Sequence, residues 1–166
     1  MARGFLAYLG FGPSLKKPEE VQEPLGLEDT RRPWAPYLRA VGEAVSSGDA
    51  KGALRALQDA DRCALATGQW EGMVEVGDAY LRAAGASRAR KILVSRAHQN
   101  YLAALYCARQ QGSIDGVLHT AARFASLGDR ESADQCLLIA EGMAETANDA
   151  GARERVRRLG ARMMSA

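Results

Sequence analysis

With 166 residues, 47% hydrophobic and 25% charged, the chain is long enough for one domain with a continuous core and is neither disordered nor collagenous in composition. A net charge of +2 is too small to argue for nucleic acid by itself. Cys63, Cys107 and Cys136 are odd in number and widely spaced, so they read as buried reduced thiols, which suits a cytoplasmic setting.

Residues 1–33 differ from the rest. All five prolines lie at or before Pro36, and Glu19, Glu20 and Glu23 form an acidic stretch. This composition predicts an extended or partly disordered arm with one short helix near 19–22. Phe5, Leu6, Tyr8, Leu9 and Phe11 make the arm's tip apolar. Burying each would gain about 1.5–3 kcal/mol, which marks them as an anchor for a partner, a membrane surface or the chain's own groove. Gly4 to Gly12 is short for a secretory signal, and Pro13, Lys16 and Lys17 stand where a cleavage site should lie. Gly10 to Lys16 lacks the ending and the preceding strand of a phosphate loop. No apolar run approaches the roughly 20 residues of a membrane helix.

After Pro36 proline is absent, as helix interiors demand. Glycine becomes the punctuation, at Gly48, Gly68, Gly85, Gly112 and Gly128, each after an amphipathic stretch. Asp49, Ser87, Ser113 and Asp129 stand where they can cap the next helix. The pattern predicts helices over 34–46, 50–66, 70–84, 87–111, 114–126, 130–147 and 151–164, with breaks short enough to force antiparallel neighbours.

A common phrase runs through these helices. It reads Tyr37, Ala40, Val41, Ala44, Gly48, Ala53, Leu57, Ala60, and again Val117, Thr120, Ala121, Phe124, Gly128, Ala133, Leu137, Ala140. A middle copy opens with Met73, Val76, Gly77 and Tyr80. It closes in either of two registers, Ala89 with Leu93 or Ala97 with Tyr101 and Ala104. The phrase resembles the tetratricopeptide repeat over most of 34–147. Val41 to Gly77 is 36 residues and Gly77 to Ala121 is 44, against the family's usual 34, and the motif's closing proline is missing. The resemblance implies an all-α fold: a right-handed stack of three antiparallel helical hairpins over residues 34–166. Residues 151–164 would form a capping helix, with Val156, Leu159 and Met163 inward and its arginines outward.

The resemblance also implies that the first helix of each hairpin lines a concave groove. By register those positions are Leu38 and Val45, then Glu71, Val74, Asp78, Leu81 and Arg82, then Leu118, Ala122 and Ala125. Such a wall suits an apolar helix or an extended peptide, unless its members are ordinary core. Arg88, Arg90, Lys91, Arg153, Arg157 and Arg158 could meet an anionic partner, or form solvated helix faces. His98 and His119 have no acid or metal-ligand partner by spacing, and His119 lies one turn from Asp115 and Arg123, a surface cluster. No cofactor or metal site is expected. The expectation is a non-catalytic adaptor, scaffold or assembly factor. The alternatives are an RNA-associated repeat protein and a subunit anchored in a larger complex by its apolar arm.

Overall fold

The computed structural model describes residues 31–85, 87 and 89–165. The arm residues Phe5, Leu6, Tyr8, Leu9 and Phe11, and Arg88, lie outside the described residues. Those described form seven helices and no strand: α1 (Ala35–Ser47), α2 (Ala50–Thr67), α3 (Trp70–Gly85), α4 (Arg90–Gln110), α5 (Ile114–Ser126), α6 (Arg130–Thr146) and α7 (Ala150–Met164). The described residues from Arg31 onward belong to one compact unit.

Four of the turns share one design. Gly48, Gly112, Gly128 and Asn148 take positive φ of 76, 68, 79 and 51°. In each turn the next residue's N–H reaches back five residues, as Asp49 to the Ala44 carbonyl (2.9 Å) and Asp129 to that of Phe124 (3.0 Å). That same next residue then caps the following helix. Asp49 accepts from the Gly52 N–H (2.9 Å), Ser113 from Gly116 (3.0 Å), Asp129 from Ser132 (3.0 Å) and Asp149 from Ala152 (2.9 Å). One residue ends a helix and its neighbour starts the next, so the chain reverses within about two residues.

Two expectations are corrected at the third turn. Gly85 closes α3 without a positive φ, and α4 begins at Arg90 rather than 87. The reason is that Ser87 turns its hydroxyl to the nearby Ala89 N–H (3.0 Å) and so caps no helix. Asn148, the left-handed residue before α7, is legible only as the one asparagine in that break; as a residue type it tolerates this conformation better than most.

Successive helices pack on one another, and the odd-numbered ones also meet: α1 with α3, α3 with α5, and α5 with α7. The repeated small and bulky positions form the core. Val41, Ala53, Leu57, Ala60, Met73, Val76, Tyr80, Val117, Ala121, Phe124, Ala133 and Ala140 are all buried. Ala40 is exposed, although its register mates Val76 and Thr120 are fully buried. Of the middle copy's two registers, Ala97, Tyr101 and Ala104 are all fully buried, whereas in the other Leu93 is buried and Ala89 is exposed.

Aromatic rings on helical glycines set the closest approaches. A β-carbon on Gly72 would fall 2.9 Å from the Trp34 ring, one on Gly116 2.9 Å from the Trp70 ring, and one on Gly77 2.5 Å from Tyr101. Trp34 and Trp70 thus lie across the α1–α3 and α3–α5 seams. Each odd–odd seam also carries one arginine–carboxylate pair: Arg32 with Glu75 (2.5 Å), Arg123 with Asp78 (2.8 Å) and Arg155 with Asp115 (3.1 Å). All are partly exposed, so each fixes register more than it stabilises.

Twelve residues separate Val41 from Ala53 and Ala121 from Ala133, but twenty separate Gly77 from Ala97. The eight extra residues are shared among the end of α3, the α3–α4 turn and the start of α4, so the second hairpin runs on past the turns of the other two.

Two substitutions test this packing. Gly77→Ala should destabilise by about 1–3 kcal/mol, because fully buried Tyr101 cannot yield to the new methyl. Gly42→Ala, on a helix face with nothing near, should instead stabilise by about 0.5–1 kcal/mol. Opposite shifts in urea midpoint would show that the ring contact, rather than glycine's flexibility, decides the sign. Ala133→Leu, at a fully buried close contact, should cost about 1–3 kcal/mol by the same assay.

Candidate interaction surface

The odd-numbered helices carry every position that the resemblance assigns to the groove. The structure divides them. Val74 and Leu118 are buried and act as core. Leu38, Val45, Asp78, Leu81, Ala122 and Ala125 are half-buried, and Glu71 and Arg82 are exposed. Asp78 is engaged: it accepts from the Tyr101 hydroxyl (2.7 Å) and pairs with Arg123. It joins α3, α4 and α5, so it positions the wall.

Among the described residues, two clefts bear on this face. The larger, about 960 Å³, lies among α5, the start of α6 and the end of α7, lined by Ala122, Ala125, Asp134, Leu159, Arg162 and Met163 among others. It holds Ala122 and Ala125 of the expected groove. Arg130 stands at its edge and donates to the Met163 carbonyl (3.0 Å), tying α6 to the end of α7. The smaller, about 580 Å³, lies where the second hairpin runs past the first hairpin's turn. Val45, Leu54, Leu57 and Ala83 line it with Leu93 of α4. It contains Val45 but is otherwise built from residues outside the expected groove.

The candidate anionic contacts are partly spoken for. Arg157 and Arg158 both pair with Glu154, at 2.6 and 2.7 Å. Arg155 of the same helix is held by Asp115. Arg153, Arg90 and Lys91 are exposed and form no ion pair among the described residues.

Both histidines find partners that spacing hides. His98 Nε2 lies 2.8 Å from Asp129 Oδ2, with its ring edge-on to Phe124. Asp129 also caps α6, and the bond from Ser132, aided by His98, holds its carboxyl below the usual range. Asp115 and Arg123, one turn either side of His119, pair with Arg155 of α7 and Asp78 of α3, and His119 rests against the Trp70 ring (5.5 Å). Among the described residues no group of His, Cys, Asp and Glu could hold a metal, and no helix is long and apolar enough to cross a membrane. Burial pushes the Cys136 thiol up to about 12, while Cys63 and Cys107 are half-buried and free.

A buried polar cluster escapes the sequence reading altogether. Asp61 of α2 is 6% exposed and accepts from the Tyr80 hydroxyl of α3 (3.3 Å). Asn100 of α4 lies against it, giving its Nδ2 to the Arg96 carbonyl (3.1 Å) and leaving its buried Oδ1 without a partner. Burial raises the Asp61 pKa, opposed by Asn100, Tyr80 and Arg96.

In comparisons against protein families, curated proteins and solved structures, nothing matches the chain.

Since folding raises the Asp61 pKa, the folded state holds that proton more tightly than the unfolded chain. The contribution is full below the ordinary value of 3.8 and is lost as pH rises through the folded value. Asp61→Asn removes the buried charge and can offer Asn100 Oδ1 a donor. It should raise the urea midpoint at neutral pH, with a gain that shrinks toward the acid side of 3.8. A destabilised variant at neutral pH would show that ionised Asp61 is well solvated or paired.

Proposed function

We propose that this chain is a non-catalytic protein–protein interaction module, built as a right-handed stack of tetratricopeptide-like hairpins capped by α7. It holds a peptide or helix against the face made by its odd-numbered helices, and serves as an adaptor, scaffold or assembly factor in the cytoplasm. The observation that carries this reading is the open cleft between α5 and α7. It contains half-buried Ala122, Ala125, Leu159 and Met163 within an otherwise exposed lining, and can accept an apolar side chain without displacing core. The contacts between successive odd-numbered helices, each with its ion pair, extend this face along the chain.

A nucleic-acid reading through the arginines has less support, because three of the five on α7 are already engaged in ion pairs, Arg157 and Arg158 sharing Glu154 and Arg155 held by Asp115. The complex-subunit reading rests on the apolar tip of residues 1–12, outside the described residues.

The test is affinity capture from native lysate, with and without nuclease and at low and high salt, using the wild type beside Ala125→Arg. The expected result is a discrete protein set that survives nuclease and salt and is lost from the variant, whose melting temperature stays unchanged. Loss on nuclease or salt would favour the arginine faces. Capture undiminished by Ala125→Arg would remove the cleft from the function.

A further inference from the structure

The even-numbered helices carry exposed apolar positions of their own. Three of the large aliphatic side chains most exposed in the structure belong to them: Leu54 of α2 (47%), Ile92 of α4 (66%) and Leu138 of α6 (68%). A lone exposed aliphatic is ordinary. These three sit in fields of one sign.

Around Leu138, at helical spacing along one face of α6, stand Glu131, Asp134, Glu141 and Glu145, all exposed. Over this stripe of about 21 Å none of the four forms an ion pair among the described residues. Gly142, one turn beyond Leu138, keeps that side of the face low, with open space above it.

The smaller cleft has the opposite character. Its interior is Val45, Leu54, Leu57 and Leu93, and exposed Ile92 precedes Leu93 on α4. Lys51 lines it, Arg55 follows one turn along α2, and Arg90 and Lys91 open α4 next to it; all four are exposed and without an ion pair among the described residues. Its one acidic lining residue, Asp49, is occupied in capping α2.

We propose that copies of this chain associate with one another, the acidic Leu138 face of α6 in one copy seating in the basic-rimmed cleft under the α3–α4 turn of the other. Leu138 supplies the apolar anchor, the cleft supplies the pocket, and four carboxylates meet four basic side chains around it. Complementary rims of this kind orient the approach and set the partner, while the buried aliphatic contact holds it. Used reciprocally about a two-fold axis, the two patches close a dimer. The cleft exists because of the eight extra residues of the second hairpin, which gives that departure from the repeat length a purpose. The association draws on two residues of the groove region: Val45, which lines the receiving cleft, and Asp134, which also lines the larger one.

Sedimentation velocity on the full chain across a wide concentration range tests the contact. Wild type should associate at low salt and weaken as salt screens the rims. Leu138→Glu disables the α6 face, and Arg90→Glu with Lys91→Glu reverses the rim; each should weaken self-association by about tenfold or more. Because each variant keeps the other patch intact, mixing the Leu138→Glu chain with the rim variant restores a one-to-one complex through the single remaining contact. All these positions are exposed, so circular dichroism should be unchanged. A wild type that stays monomeric throughout overturns the proposal, as does a Leu138→Glu chain that associates as tightly as wild type. The first result would leave the cleft for an acidic amphipathic segment of another protein.

Discussion

Three aromatic rings laid on three helical glycines govern how near the helices of this chain can come. Trp34 covers Gly72, Trp70 covers Gly116 and Tyr101 covers Gly77. At each place the missing β-carbon lets a flat ring lie against helix backbone, and the ring fills what would otherwise be a gap between packed helices. The seams α1–α3 and α3–α5 depend on the two tryptophans. The hairpin α3–α4 depends on Tyr101, which also hands its hydroxyl to Asp78 and so reaches the Arg123 pair on α5. Alanines supply the rest of the close contact: Ala60, Ala97, Ala104, Ala121, Ala133 and Ala140 are fully buried. The third odd seam, α5–α7, has Ile114 and Ala152 at the register positions of the tryptophan and the glycine. It is also where the larger cleft opens.

This arrangement separates two layers with different resources. The odd layer is bound within itself by ring contacts and ion pairs, and its open positions mix small residues, Ala122 and Ala125, with larger ones, Leu38, Leu81, Glu71 and Arg82. The even layer carries exposed aliphatics in fields of single sign. The buried group Asp61–Tyr80–Asn100 lies where α2, α3 and α4 converge. It is a polar group in a place where neighbouring positions are apolar, and the unpartnered Asn100 carbonyl marks it as incompletely satisfied.

Much of the fold was readable from local chemistry. Proline's absence, glycine at the breaks and the capping acids are local signals, and they place seven helices to within a few residues. The start of α4 was misplaced because Ser87 can cap either a helix or a short turn, and only the chain's path decides which. The tertiary pairings were hidden for a different reason. His98 and Asp129 are 31 residues apart and Asp61 and Asn100 39, so no spacing rule joins them. Val74 and Leu118 read as groove and lie in the core, since a helix-face register cannot tell a wall from a seam. One signal could have been used. Trp34 to Trp70 is 36 residues and Gly72 to Gly116 is 44, the same two intervals that separate Val41, Gly77 and Ala121. The ring and its glycine recur with the repeat.

The stacking of hairpins through these ring-on-glycine seams is the claim on which the rest stands, and proton NMR reads it directly. A ring current shifts any proton held against its face. The Hα resonances of Gly72, Gly77 and Gly116 should move well upfield of ordinary helical glycine, with cross-relaxation to the rings of Trp34, Tyr101 and Trp70 respectively. Ordinary shifts at Gly72 and Gly116, with no cross-peaks to the two indoles, would mean that the odd-numbered helices do not meet as described, and the shared face would go with them.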